Sequence, residues 1–199
     1  RDKYLQIVWD ETKRLNKLIT TLLDLSHIES GKTPLTRTRF DVNEMICRVL
    51  VRQETRINEK NLNVDIDFQN ETCFVDADAD RIEQVIVNLV DNAIKYGAAE
   101  QSITVECAQQ GKQAVLRVSN FGPGMTAEEI EHIFEPFYRT DKERSREMGS
   151  AGLGLSICMK IVREHGGTLS AQSVPGGETT FTAIFPLLRK EGADDEAEA

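Results

Sequence analysis

A helical apolar stripe edged by two asparagines constrains this chain more than any other segment. Ile82, Val85, Ile86, Leu89, Val90 and Ala93 recur at the three- and four-residue spacing of a helix with one buried face. Asn88 and Asn92 lie one turn apart, so both amides leave the helix on the same side, next to the stripe. Asparagines beside a core are costly unless something bonds them. Lys95 follows within a turn. Amide oxygens suit a hard cation such as Mg²⁺, and an ammonium suits a phosphate. Taken alone, the strip is better explained by two satisfied asparagines and a solvated lysine. Two glycine-rich segments further on reverse that judgement.

The rest of the chain supplies partners for this helix. Residues 2–30 carry a heptad pattern, with Val8, Leu15 and Leu22 on one seam, Leu18 and Leu25 on a second, and Ile19 beside it. This is a bundle or coiled-coil helix that cannot bury its own stripe, so it needs partners from a second chain or from a segment upstream. Residues 36–40 are a strand candidate. Asp41 and Glu44 resemble a capping box that opens a helix running to about residue 59, with Val42, Met45, Ile46, Val49 and Leu50 on one side. Leu62, Val64, Ile66 and Phe68 alternate as a half-buried strand, and residues 73–75 are another. Asp78 or Asp80 caps the asparagine helix and Gly97 ends it. Residues 102–108 and 113–120 form a hairpin about Gln110, Gly111 and Lys112. A short helix over 127–133 follows. Residues 140–150 are polar and charged, without apolar period, as expected of a lid or a plain loop. A helix over 156–164 ends at Gly166 and Gly167. Strands 168–173 and 179–185, joined at Pro175-Gly-Gly177, close the domain. The expected fold is α+β: a two-layer sandwich of a mixed, mostly antiparallel sheet with helices on one face, preceded by the long heptad helix. Residues 1–31, 32–188 and an acidic tail over 189–199, expected to be disordered, are its three parts.

Charge and cysteine content narrow the classes of function. The 199-residue chain has a formal net charge of −9, which argues against a nucleic-acid partner. It starts at Arg1 without an initiator methionine, as expected of a piece of a longer protein. It has no apolar run of membrane-spanning length, so any membrane attachment is expected to come from regions upstream. Cys47, Cys73, Cys107 and Cys158 are scattered, without metal-ligand spacing, and read as reduced, packed thiols of a cytoplasmic protein.

Gly152-Leu153-Gly154-Leu155 lies immediately before a helix. Glycines let a backbone approach a phosphate, and a helix N-terminus offers free N–H groups. The segment is neither a Walker loop nor a dinucleotide fingerprint. Gly122-Pro-Gly124 after a strand is a second place for close approach. Combined with Asn88, Asn92 and Lys95, these segments are what a nucleoside triphosphate with Mg²⁺ requires.

In order, N-L-V-D-N-A-I-K-Y from Asn88, N-F-G-P-G-M from Asn120, I-F-E-P-F-Y-R from Ile133 and G-L-G-L-S-I from Gly152 resemble the catalytic ATP-binding domain of sensor histidine kinases. That domain belongs to the superfamily shared with gyrase and the heat-shock chaperone (GHKL). Residues 1–31, with L-L-D-L-S-H-I-E-S-G-K, resemble the second helix of the dimerisation and histidine-phosphotransfer domain. The resemblance implies that Asn92 ligates Mg²⁺ and that Asn88 bonds the phosphates or a metal-bound water. It implies that Lys95 contacts the phosphates, Tyr96 packs on the adenine side, and Gly122 and Gly124 line the adenine pocket. Phe134 and Phe137 would anchor the lid, and Arg146 would reach the γ-phosphate. Gly152 and Gly154, with Leu153 and Leu155 between and after them, would hinge the lid and bring N–H groups to the phosphates. The implied activity moves the ATP γ-phosphate to a histidine and thence to a response regulator receiver domain. The implied full-length protein is a homodimeric sensor at the cell membrane.

Two departures qualify the resemblance. The phosphoacceptor histidine is absent, since His27, His132 and His165 all sit in structural contexts, so autophosphorylation of this chain is not expected. Asn120 stands where the family usually has the aspartate that reads adenine. Losing the charge costs about 1 kcal/mol, roughly fivefold in affinity. That feature supports an alternative: a degenerate, regulatory nucleotide-binding module with weakened ATP binding.

Overall fold

The computed structural model describes residues 34–140 and 152–187, together with eight residues between 4 and 19, all helical. Among those eight, Tyr4, Leu5, Val8, Trp9, Leu15 and Ile19 are exposed; Val8, Leu15 and Ile19 are the described members of the expected heptad seams. The remainder of the expected long helix, the lid, the expected boundary near residue 31 and the acidic tail lie outside the described residues.

The described elements are β1 (Arg37–Asp41), α1 (Val42–Glu59), β2 (Asn63–Phe68), β3 (Phe74–Asp78), α2 (Ala79–Tyr96), β4 (Ser102–Gln110), β5 (Gln113–Phe121), α3 (Ala127–His132), α4 (Gly154–Glu164), β6 (Thr168–Ser173) and β7 (Glu178–Pro186). Five strands form one sheet in the order β2-β4-β5-β7-β6, with β2 parallel to β4 and every other pair antiparallel. β1 and β3 form a separate antiparallel pair that sequence periodicity did not distinguish from the main sheet.

The alternation along the central strands decides which face is covered. Leu116, Val118 and Asn120 of β5 and Phe181, Ala183 and Phe185 of β7 are buried with Ile46, Ile86, Leu89 and Ile157 of the helices. The opposite face carries polar pairs such as Arg117–Glu106 at 3.5 Å and Ser119–Thr180 at 2.7 Å. The result is the expected two-layer α+β sandwich with helices on one face of a mostly antiparallel sheet. β2 is an edge strand, which explains why Ile66 stays 47% exposed despite perfect alternation.

Local chemistry sets the helix starts. Asp78, not Asp80, caps α2, its carboxylate accepting from the Arg81 N–H at 3.3 Å. Asp41 caps α1 by accepting from Asn43 N–H at 3.0 Å, but the expected reciprocal partner Glu44 pairs instead with Arg48 at 3.1 Å. The same Oδ1 of Asp41 also accepts from the Cys73 N–H at 2.9 Å, a tertiary bond that sequence spacing cannot reveal. A complete capping box does occur, at Thr126 and Glu129 of α3. α4 starts at Gly154, two residues before the expected start. Cys73, Cys107 and Cys158 are buried thiols as expected, whereas Cys47 is exposed because it lies on the solvent side of α1.

A candidate nucleotide site on the asparagine helix

Asn88 and Asn92 lie on the half-buried edge of α2, as their spacing demands. The Asn88 amide N–H₂ donates to the Gly154 carbonyl at 3.4 Å and also lies against the Cys158 thiol. Burial pushes that thiol up to about 12, so it stays protonated and serves as a neutral packing group. The Lys95 ammonium is folded over the Tyr96 ring, 4.4 Å from its centroid, and hydrogen-bonds the Tyr96 hydroxyl. It is therefore parked beside the helix at the place where the chain turns into Gly97.

The C-terminal end of α2 is tied down by a residue the sequence reading missed. The Lys60 ammonium donates to the carbonyls of Ile94 at 2.8 Å, Lys95 at 2.7 Å and Gly97 at 3.3 Å. These are the terminal carbonyls that an α-helix leaves without internal partners. A lone lysine after an amphipathic helix gives no such signal in sequence, because the carbonyls it meets are over thirty residues away.

Steric tests separate the four glycines of the two loops. A Cβ on Gly122 would lie 2.2 Å from the Tyr96 carbonyl oxygen, and one on Gly124 1.9 Å from the Val174 carbonyl oxygen. A Cβ on Gly152, at φ +70°, would meet the Tyr138 oxygen at 2.5 Å. The protein's own packing thus accounts for these three. Gly154 differs: its Cβ would make ordinary contacts of 3.7–4.0 Å with the Asn88 amide and nothing closer. It opens α4, whose N-terminus has no side-chain cap. An uncapped helix start beside the Asn88 amide, at a glycine that no close packing contact requires, is a place where main-chain N–H groups can meet an anion.

Of the remaining expected residues, Leu153 is buried and Leu155 packs against the core, so only their main-chain groups can face a ligand. Phe134 packs edge-on to Phe181 at 6.5 Å, and Phe137, at φ +65°, is 59% exposed with its N–H bonded to the Gly152 carbonyl at 2.9 Å. Asn120 is 3% exposed on the helix-facing side of β5, directly across from Thr179 on β7. Arg146 lies outside the described residues. The segments holding Tyr96, Gly122 and Gly124 are knitted together by main-chain bonds from Ala98 N–H to Phe121 O at 2.7 Å, Gly122 N–H to Gly177 O at 3.1 Å and Gly176 N–H to Pro123 O at 2.8 Å.

The two described histidines have different surroundings. Buried His165 donates from Nδ1 to the Ile161 carbonyl at 2.7 Å and accepts at Nε2 from the Asp78 N–H at 3.1 Å. Burial holds its imidazole below the usual value, with Arg37 and Arg81 acting in the same direction, so it is a neutral strut between α4 and β3. His132 pairs with Glu135 at 2.8 Å, which raises its pKa. His27 lies outside the described residues.

A family model described as histidine kinase-, DNA gyrase B- and HSP90-like ATPase matches residues 77–189. The match begins at β3 and takes in α2, both glycine loops and the last hairpin. The chain belongs to this ATPase family. Among curated relatives of the family, it is 32% identical to the sensor protein kinase WalK of Staphylococcus saprophyticus subsp. saprophyticus, over 98% of this chain and 32% of WalK. The chain thus spans about a third of the length of the curated relatives it matches. Among solved structures, it resembles the catalytic domain of histidine kinase ThkA, at a TM-score of 0.69 and 35% identity, covering 76% of this chain and 95% of that one. It also resembles ThkA in complex with the response regulator protein TrrA, at a TM-score of 0.75 and 33% identity, covering 94% of this chain and 51% of that one.

Proposed function

We propose that this chain is the ATP-binding catalytic part of a protein-histidine kinase of a two-component system. The observation that carries the reading is Gly154: a glycine that the protein's own packing does not require, at an uncapped helix start, beside the polar edge of α2. Family membership makes ATP the anion expected there.

The donor set fits Mg²⁺ in the way nucleotide enzymes use it. No described cluster of three or more His, Cys, Asp or Glu side chains could hold a metal alone. Mg²⁺ commonly takes one or two protein oxygens and completes its shell with phosphate and water. Asn92 supplies one such oxygen, and Asn88, with its amide nitrogen turned to Gly154, leaves its own oxygen for a second or for a metal-bound water. Mg²⁺ would neutralise charge on the phosphate oxygens. Phosphoryl transfer needs little covalent chemistry from the protein beyond positioning and charge stabilisation. Asn88 and the α4 N–H groups would fix the phosphates. Lys95 would leave the face of Tyr96 to neutralise them, freeing that ring for the base. Gly122, Gly124 and Asn120 border the base end, and Phe137, Gly152, Leu153 and Leu155 border the phosphate end through their main chain. Arg146 would complete the γ-phosphate contacts.

The phosphoryl group would pass to a histidine imidazole supplied by another segment or chain, and then to an aspartate of a response regulator. The solved ThkA–TrrA pair supports that partner class. The exposed apolar residues between 4 and 19 support homodimerisation of the whole protein through that helix. No described helix is long and apolar enough to cross a membrane. Our reading puts the parent at the cell membrane with this part on the cytoplasmic side, and the sensor proteins among its relatives support that reading.

Calorimetric titration with a non-hydrolysable ATP analogue, with and without Mg²⁺, tests the reading. Mg²⁺-dependent binding that weakens in both Asn92→Asp and Lys95→Ala is expected. Unchanged affinity in both variants would place the site elsewhere. Transfer of labelled phosphate from ATP to a supplied histidine-bearing domain separates a working kinase from a regulatory module that only binds.

A further inference from the structure

The asparagine helix spans the proposed site from end to end. Asn88 faces Gly154 at one end, and the Tyr96 carbonyl abuts Gly122 at the other. Eight residues of helix separate them, about 12 Å. A nucleoside triphosphate lying along this edge with its phosphates at Gly154 puts its base against Gly122 and Asn120. The Asn120 amide nitrogen is 3.4 Å from the position of a Cβ on Gly122, so the amide borders that end directly.

Asn120 is unlike the other buried polar residues. Asn43 donates to the Asn70 and Glu71 carbonyls although its Oδ1 is left without a partner, Ser119 bonds Thr180, Ser156 donates to the Leu153 carbonyl, His165 uses both ring nitrogens, and Thr179 bonds Ser173. No described residue hydrogen-bonds the Asn120 side chain, although it is only 3% exposed. Its amide atoms are not among the fully buried, unpaired polar atoms, so they open to solvent at this end of the site, where a base would replace water on them. No protein bond fixes which way the amide faces.

A carboxylate at this position would be acceptor-only, whereas an amide offers a donor and an acceptor on one planar group. Adenine presents an amino donor at position 6 beside an acceptor at N1. Guanine and hypoxanthine present the reverse, a 6-oxo acceptor beside an N1–H donor. A carboxylate accepts from the adenine amino group and repels a 6-oxo group. An amide meets either edge by a half-turn about its last torsion, which is broad and nearly two-fold.

We propose that Asn120 relaxes base selection, so that this site accepts 6-oxopurine nucleoside triphosphates nearly as well as ATP. The proposal rests on the nucleotide reading above and adds the class of base. The test is displacement of a fluorescent ATP analogue by ATP, ITP and GTP in Mg²⁺, for the native chain and Asn120→Asp. ITP, which lacks the 2-amino group, removes bulk at position 2 as a complication.

The expected result is native affinities for ATP and ITP within about fivefold, and a preference for ATP of at least about tenfold in Asn120→Asp. Native binding of ATP with tenfold or greater rejection of both ITP and GTP would overturn the proposal and leave the ATP reading standing. Equal binding that Asn120→Asp does not alter would show that Asn120 is not the base reader, and so overturn it too. Binding of none of the three would overturn the nucleotide reading and this proposal with it. The native ratio decides even where the variant fails to fold.

Discussion

Replacing Lys60 with methionine removes the ammonium from the end of α2 while keeping most of the aliphatic stem. Three carbonyls, those of Ile94, Lys95 and Gly97, lose a charged donor at 2.7–3.3 Å. A hydrogen bond to a charged group contributes about 1.5–3 kcal/mol net, and a cation at a helix C-terminus a further 0.3–1 kcal/mol or so. The three bonds share one ammonium, and water reaches part of the vacated space, so they do not add. A loss of about 2–3 kcal/mol is expected, or roughly 4–12 °C in Tm for a chain of this size. Urea unfolding, with thermal melting beside it, reads this directly. Lys60→Arg, which restores a cation on a stem of similar length, is expected to recover part of it. A methionine variant within about 0.5 kcal/mol of native would refute the argument, because it would mean that water already satisfies those carbonyls. A stable variant with weakened ATP-analogue binding would instead show that Lys60 chiefly positions Lys95 and Tyr96.

Other substitutions separate packing from ligand binding. Gly154→Ala should leave stability within about 0.5 kcal/mol, since its Cβ meets only ordinary contacts, yet weaken Mg²⁺–nucleotide affinity by placing a methyl beside the Asn88 amide where the phosphates are proposed to sit; a thermal melt and a titration on one sample check both. Gly122→Ala should destabilise by at least about 1–3 kcal/mol, because its Cβ would sit 2.2 Å from a backbone oxygen; an unchanged Tm would show that the loop can shift. His165 is held neutral in the fold, so its folded pKa lies below that of the unfolded chain. Its stabilisation is complete above about pH 6.5 and declines as pH falls from there toward the folded pKa, because the unfolded chain takes up the proton first. Stability measured from pH 7 to 5 should therefore fall less steeply in His165→Gln than in the native chain, and identical slopes would show that His165 does not titrate on unfolding.

The sequence by itself determined the elements and the chemistry they carry. Period-2 and period-3.6 patterns located the strands and helices because a sheet with one covered face and a helix with one buried stripe leave different marks on the chain. The spacing of Asn88 and Asn92 placed both on one edge of α2 for the same reason. Only the tertiary structure decided what depends on residues distant in the chain. It paired β1 with β3 apart from the main sheet, gave the Asp41 carboxylate to Cys73, and brought Lys60 to the end of α2. It also divided the glycines: Gly122, Gly124 and Gly152 answer to carbonyls of Tyr96, Val174 and Tyr138, and Gly154 alone of the four answers to none. A glycine in a sequence records that a side chain is unwelcome; what would have been struck is set by the chain folding back on itself, and that separates a glycine held by packing from one that packing does not require.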